Sequence, residues 1–248
     1  MKEASLQVEV INYTPEPEKT AAAAARLCYS PVGAAKLKEE LDETEAEELL
    51  NVILENGHYS TLEHISFTFA IEGISRVTSH QLVRHRIASY SQQSQRYVRQ
   101  REEPVFIIPK RIYELPEDDE YKKSFLNQIQ NCYAEYDKQV DYLINEHNYT
   151  EKEAIEDARY ILPNAAETKI VVTMNARSLL HFFEVRCCQR AQWEIRAMAK
   201  EMLKQVKNLA PVIFKEAGPT CVVEGECKES TMSCGRLDKG ADKENEKN

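Results

Sequence analysis

Apolar and polar residues alternate from Leu6 to Ile11, the two-residue period of a strand with one buried face. The same period returns more strongly from His64 to Glu72, where Ile65, Phe67, Phe69 and Ile71 fall on one side and Ser66, Thr68 and Ala70 on the other. Two short apolar runs, Val105 to Ile108 before Pro109 and Thr168 to Thr173, read as further strands. Elsewhere the period lengthens to the three and four residues of a helix. Thr20 to Tyr29 is rich in Ala, which loses no side-chain entropy on ordering. Asp42 to Glu55 puts Leu49, Leu50 and Ile53 on one side, with Gly57 placed as a C-terminal cap. Ile74 to about Arg86 is helical in spacing, whereas Ile87 to Gln100 has little apolar period and reads as a functional loop. Asp118 to Glu146 carries an apolar stripe of Tyr121, Phe125, Ile129, Tyr133, Tyr136, Val140 and Leu143. Thr150 and Glu153 form a capping-box signature for a helix that Pro163 closes. Ala176 to about Leu209 reads as one long helix and Pro211 to Ala217 as a short one. Strands alternating with long helices predict an α+β, or mixed α/β, domain with a central sheet flanked by long helices.

Composition narrows the setting. With 248 residues and 42% hydrophobic content the chain can bury a substantial core. No apolar run approaches the roughly 20 residues of a membrane span, and Glu3 and Glu9 interrupt any secretory signal, so a cytoplasmic protein without membrane contact is expected. A net charge of −9 argues against binding a nucleic-acid backbone, so an anionic ligand must meet a local basic patch. Beyond Pro219 the chain turns to Cys, Gly, Ser and charge and ends GADKENEKN, whose last ten or so residues are expected to be disordered. Its cysteines Cys221, Cys227 and Cys234 are spaced by five and six residues, unlike the close pairs of ordinary zinc sites. No metal is assigned; free thiols, or a tail clamp that borrows Cys187 or Cys188, are the two readings.

One such basic patch exists. From Glu72 to Glu102 no acidic residue and no Lys intervenes, yet the interval holds Arg76, Arg84, Arg86, Arg96, Arg99 and Arg101. Arg is preferred over Lys where a planar fork grips a phosphate or carboxylate by two parallel bonds. Ser89, Ser91 and Ser94 place hydroxyls nearby. On composition alone, a solvated face or a subunit contact explains the same arginines.

The order of the residues goes further. Arg84-His85-Arg86, then seven residues, then Ser94, within RHRIASYSQQSQRY, resembles the signature of the flavin-dependent thymidylate synthases. GHYSTLEHISFTF, Gly57 to Phe69, and MNARSLLHFFEVRCCQRAQWEI, Met174 to Ile195, are similar to other segments of that family. The resemblance runs from about Leu6 to Ala217. It implies a catalytic domain over 1–217, with 218–248 a cysteine-containing, partly disordered tail that is dispensable for catalysis.

By the same resemblance the chain is a homotetramer with active sites between subunits. It methylates dUMP to dTMP, with 5,10-methylenetetrahydrofolate as carbon donor, FAD as hydride carrier and NADPH as reductant. The dUMP positions implied are Gln81, Leu82, Val83, Arg84, Gln92, Gln93, Ser94, Gln95, Arg96, Arg159 and Arg186, with Ser94 and Arg96 on the phosphate. The FAD positions are Thr61, Arg84, His85, Arg86, Gln92, Asn175, Ala176, Arg177 and His181, with Glu63 beside the flavin. His58 and Tyr97 fall at the mouth for folate and substrate. Arg186 is the implied catalytic residue, its guanidinium stabilising negative charge on the uracil ring as C5 becomes nucleophilic. Local readings stand beside these: Arg159 pairing with Glu156, Arg186 with Glu184 or Gln189, and His181 as an ordinary helix residue. Cys187 and Cys188 are read as small buried hydrophobes rather than nucleophiles. The absence of Gly-x-Gly-x-x-Gly means that FAD is not held in a doubly wound dinucleotide fold. The rival reading is a non-catalytic nucleotide- or RNA-binding protein that uses the Arg-rich loop.

Overall fold

The structure, a computed structural model, describes residues 2–100 and 104–237. Arg101 and the final residues, for which disorder is expected, lie outside them. The chain begins with β1 (Lys2–Glu3), β2 (Gln7–Tyr13), α1 (Pro17–Leu27), α2 (Ala34–Glu40) and α3 (Glu43–Glu55). A 3-10 helix, Tyr59–His64, leads into β3 (Ser66–Ser75), α4 (Arg76–Leu82), β4 (Ser89–Gln92), β5 (Val105–Phe106) and α5 (Lys110–Tyr113). Then come α6 (Glu120–His147), α7 (Glu151–Ala158), β6 (Glu167–Asn175), α8 (Ala176–Arg186), α9 (Trp193–Leu209), α10 (Pro211–Phe214) and α11 (Thr220–Val223). Four strands form a sheet in the order β2-β3-β6-β4, and β1 pairs in parallel with β5. The architecture is mixed α/β, as the alternation of periods predicts.

Packing divides the chain into two compact units. The first comprises Met1–Gln7, Ala70–Arg84 and Tyr90–Val172. Its core lies on the inner stripe of α6, where Ile129 and Tyr133 pack with Phe106, Ile108 and Ala166, and Tyr136 and Val140 pack with Ala154, Ile155 and Ala158. The predicted stripe fails at its first member, since Tyr121 is exposed and Lys122 is buried instead. That lysine has a specific reason to be inside: its Nζ donates to the carbonyls of Tyr113 and Leu115, the exposed acceptors at the end of α5, and to the Glu117 carboxylate. Gly73, in β3, has φ +69, and a Cβ there would stand 2.0 Å from the Ser5 carbonyl oxygen.

The second unit comprises Val8–Phe69, His85–Ser89 and Thr173–Asn248. The Ala run of α1 is buried at every position but Ala24: Ala21 and Ala22 have no exposed surface, and α1 packs on α3. Ile65, Phe67 and Phe69 fill the centre as the alternation of β3 requires, and Phe67, Phe183 and Phe214 meet edge to face. Helix α3 opens with a full capping box, Asp42 with Glu45, and Gly57 follows its end at φ 68, the left-handed conformation of a C-terminal glycine.

Three expectations change. The single helix over Ala176 to Leu209 is two, because α8 ends at Cys187 and Gln192 caps a new helix by accepting from Glu194 N and Ile195 N. The loop after α4 contains a strand, β4. Helices α2 and α5 have no counterpart in the periodicity, being seven and four residues long.

Candidate functional site

In the second unit the implied flavin residues gather around α8. Asn175 ends β6 and caps α8, its side chain accepting from Ser178 N at 2.8 Å, and Ala176 N donates to the Ile65 carbonyl. Both residues therefore fix where the helix starts, and with it the direction of every side chain that follows. Arg177, in the first turn, pairs with Glu63 of the 3-10 helix. One turn on, His181 stands with Arg177 on a cavity of about 710 Å³ that Tyr59 also lines. His181 Nδ1 lies 3.6 Å from Glu184 Oε2, and Thr220 of α11 donates to Glu184 Oε1 at 3.1 Å. The segment after Ala217 is thus part of this cavity's wall, with Gly218, Thr220, Val223 and Glu224 all lining it.

At the far end of α8, Arg186 Nε donates to His85 Nε2 at 2.9 Å. The Nε of Arg186 thus goes to an imidazole rather than to Glu184 or Gln189. An acceptor Nε2 places the His85 proton on Nδ1. The His85 ring packs edge to face on Phe182 at 4.9 Å and lies 6.4 Å from the His181 ring. Burial, then the charge of Arg186, then His181, push its pKa down to about 4, so the imidazole is neutral near pH 7. A guanidinium held by a neutral acceptor keeps its charge uncancelled by that contact.

Among the remaining implied flavin residues, Thr61 Oγ1 is buried with no hydrogen-bond partner, and Arg86 is exposed. An orphaned hydroxyl, two guanidiniums, two imidazoles and an amide are a donor set suited to a ligand with an anionic diphosphate and a polar ring system. His58 is exposed at the head of the 3-10 helix, while Tyr59, which periodicity does not single out, reaches the cavity.

In the first unit the implied nucleotide residues lie on α4, β4 and the turn that follows β4. Gln92 Nε2 donates to Thr168 Oγ1, and Gln93 N to the Lys169 carbonyl, which sets β4 against β6. Ser94 then opens a turn: its carbonyl accepts from Tyr97 N and Val98 N, and its Oγ accepts from Arg96 N at 3.1 Å. Arg96 pairs with Glu156 of α7 at 2.8 Å, and that bond raises its pKa; its Nε is buried without a partner. Gln95 is half-buried in the same turn. Tyr97, largely exposed, carries Lys152 at 4.9 Å over its ring. Gln81 and Arg84 flank the end of α4, and between them Val83 is exposed but Leu82 is fully buried. The Leu82 carbonyl accepts from the Tyr90 hydroxyl at 2.9 Å, so Leu82 anchors β4 rather than offering a side chain to a ligand.

Arg159 directs Nε to the Glu156 carbonyl and not to its carboxylate, which Arg96 occupies. Arg76, which the sequence reading leaves without a role, has its pKa lowered by burial and then by the charge of Arg159. Its only signal in the sequence is membership of the acid-free interval. Arg99, from the same interval, is consumed by Asp137 and Asp141 with its side chain only 8% exposed, an internal ion pair that the solvated-face reading does not anticipate.

A family model described as thymidylate synthase complementing protein matches residues 9–212. A flavin-dependent thymidylate synthase of Clostridium tetani is 50% identical over 242 residues, covering 95% of each chain. One from Geobacter sulfurreducens is 50% identical over 232 residues, covering 93% of this chain and 94% of that one. Among solved structures, a UMP/dUMP methylase, PolB, from Streptomyces cacaoi, crystallised with 5-Br dUMP, is 23% identical with a TM-score of 0.68, covering 87% of this chain and 96% of that one. That likeness establishes a shared fold. The sequence relatives are enzymes by name and lend no support to the reading as a non-catalytic binder.

Proposed function

We propose that this chain, which belongs to the family of flavin-dependent thymidylate synthases, converts dUMP to dTMP with 5,10-methylenetetrahydrofolate as carbon donor, NADPH as reductant and FAD as its flavin. The observation that carries the catalytic part is the bond from Arg186 to a neutral His85. It fixes the direction of the Arg186 guanidinium through a contact that adds no negative charge, which suits stabilisation of a uracil ring that turns anionic as C5 becomes nucleophilic.

Arg177, His181, Asn175, Arg86 and Thr61 would hold the FAD, the guanidiniums meeting the diphosphate. Bound there, FAD supplies the hydride that no side chain can provide. Ser94, Arg96, Arg159 and Arg76 bind and orient the nucleotide phosphate; Arg96 exchanges its bond to Glu156 for the incoming anion. Gln81 and Arg84 position the nucleotide, and Tyr97 and His58 shape the approach of the folate. The family resemblance further supports a homotetramer with active sites built between subunits. Neither cysteine after Arg186 is assigned a nucleophilic role; Cys187 is buried and caps α8 as expected of a small apolar residue, whereas Cys188 departs from that reading in being only half-buried.

Among the described residues no helix is long and apolar enough to cross a membrane. The visible spectrum after incubation with FAD and desalting, repeated with dUMP, tests both sites. Retained flavin bands that shift with dUMP, followed by dTMP formation dependent on methylenetetrahydrofolate and NADPH, are expected. A folded, colourless protein would defeat the proposal at its cofactor.

A further inference from the structure

Helix α7 carries four carboxylates, Glu151, Glu153, Glu156 and Asp157, and a single lysine, Lys152. Among the described residues that exposed ammonium makes no ion pair. It stands 4.9 Å from the centroid of the Tyr97 ring, which the Arg96 guanidinium meets at 5.9 Å. Two of the carboxylates are engaged elsewhere. Glu153 accepts from the Thr150 N–H at 2.9 Å and from its hydroxyl at 2.7 Å in the capping box, and Glu156 accepts from Arg96 at 2.8 Å. Glu156 lies four residues after Lys152, so the two side chains share one face of α7 and can meet with no change of backbone.

The bond from Arg96 to Glu156 bears on any anion that enters there. A phosphate that takes the Arg96 guanidinium leaves behind a carboxylate whose side chain is 36% exposed, stripped of its cation. That charge then repels the phosphate, and its partial burial makes the loss of a partner costlier than at an open surface. Arg159, the other cation at Glu156, gives its Nε to the backbone carbonyl and not to the carboxylate. The Arg96 Nε is buried with no partner, so Glu156 satisfies only part of that guanidinium.

We propose that Lys152 is a positioning residue of the nucleotide site: as the dUMP phosphate draws Arg96 away, Lys152 leaves the Tyr97 ring for Glu156 and neutralises the carboxylate that Arg96 vacates. The proposal rests on the assignment of Arg96 to the phosphate made above. No covalent bond changes and no proton moves; one cation replaces another on Glu156. Lysine suits the exchange because its ammonium is a point charge on a flexible stem, able to meet a carboxylate without the fixed geometry of a guanidinium fork. Its contact with an exposed aromatic face is weak enough to be given up when a carboxylate one turn away loses its partner.

The test is calorimetric titration of dUMP into the full chain with FAD, for wild type, Lys152→Met, Lys152→Arg, Glu156→Gln, Arg96→Met and the double variant Lys152→Met with Glu156→Gln. Lys152 is exposed and Met keeps the apolar stem, so the urea midpoint of Lys152→Met should match wild type, which separates a binding effect from a folding one. Lys152→Met should weaken dUMP binding about two- to fivefold, the range of an exposed ion pair, and Lys152→Arg should restore it. In the Glu156→Gln background the same Met substitution should change nothing, because no carboxylate remains to be neutralised. A loss that persists undiminished in that background would mean that Lys152 attracts the phosphate itself, and would overturn the proposal. Equal affinity of Lys152→Met and wild type, beside a weakened Arg96→Met, would overturn it alone. Were Arg96→Met also to bind as wild type, the assignment of Arg96 would fail and the proposal with it.

Discussion

Arg186 and His85 act as a pair whose two members make different predictions. Replacing Arg186 by Lys keeps a positive charge but loses the planar fork and the Nε bond to His85. If the guanidinium meets charge that exists only as the uracil ring is activated, Arg186→Lys should lower kcat by about 10²–10³-fold, with flavin retention near wild type. Single-turnover flavin oxidation in the presence of dUMP would measure it, and an unchanged rate would remove Arg186 from the chemistry. His85 carries a pH signature. Its folded pKa of about 4 lies below the ordinary value of 6.5, so between these two the unfolded chain binds more protons and stability rises with pH. The stability His85 contributes is complete above pH 6.5 and is lost as pH falls through about 4. Because the ring is only half-buried, solvent screening reduces the effect to about 1–2 kcal/mol. Urea midpoints across that window should therefore slope less in His85→Gln than in wild type. Arg96 gives a third test at this scale. Glu156→Gln removes the carboxylate that competes for its guanidinium, so dUMP should bind several-fold more tightly by calorimetry; weaker binding would mean that Glu156 orients Arg96 rather than competing with the phosphate.

At the scale of elements, what the sequence announced was what a period or a cap encodes. The alternation of Phe67, Phe69 and Ile71 became the buried face of β3, and the box at Thr150 became a real cap, while the equally complete box at Asp42 was not read from the sequence. What it concealed follows from weak local codes. The break after Arg186 is capped by Gln192, a residue type with little capping preference, so the helical period runs on through it. Strand β4 alternates over only four residues, too few to stand out from a polar loop, and it is held by Gln92 through a bond to the distant Thr168 and by Tyr90 through one to Leu82. The site was legible as a set of residue types and spacings. The partners that consume or free those residues were not, because Glu156 lies 60 residues from Arg96 and His85 lies 101 from Arg186. Gly73 shows an element constrained by its packing. With φ +69 and backbone 2.0 Å from any Cβ, Gly73→Ala forces β3 away from Ser5 and should cost about 2–4 kcal/mol in chemical denaturation, whereas Gly33→Ala, with open space, should be nearly neutral.

For the whole molecule the sharpest question is what the tail does. The expectation from sequence was a segment outside the catalytic machinery, because the family resemblance fades after Ala217. In the structure, Gly218, Thr220, Val223 and Glu224 line the same cavity as Arg177 and His181, and Thr220 steadies the Glu184 carboxylate that faces His181. The apolar core of the second unit is complete by Phe214, so a chain ending at Ala217 should still fold. It should nevertheless hold FAD about tenfold more weakly, the loss of one wall and of the Thr220 contact amounting to about 1.4 kcal/mol. Thr220→Val isolates the hydrogen bond from the wall and should recover most of the affinity that truncation removes. Flavin fluorescence titrations of the two variants beside the full chain separate the cases: equal affinity in all three would return the tail to a dispensable appendage, whereas a graded loss would make it a third side of the flavin site.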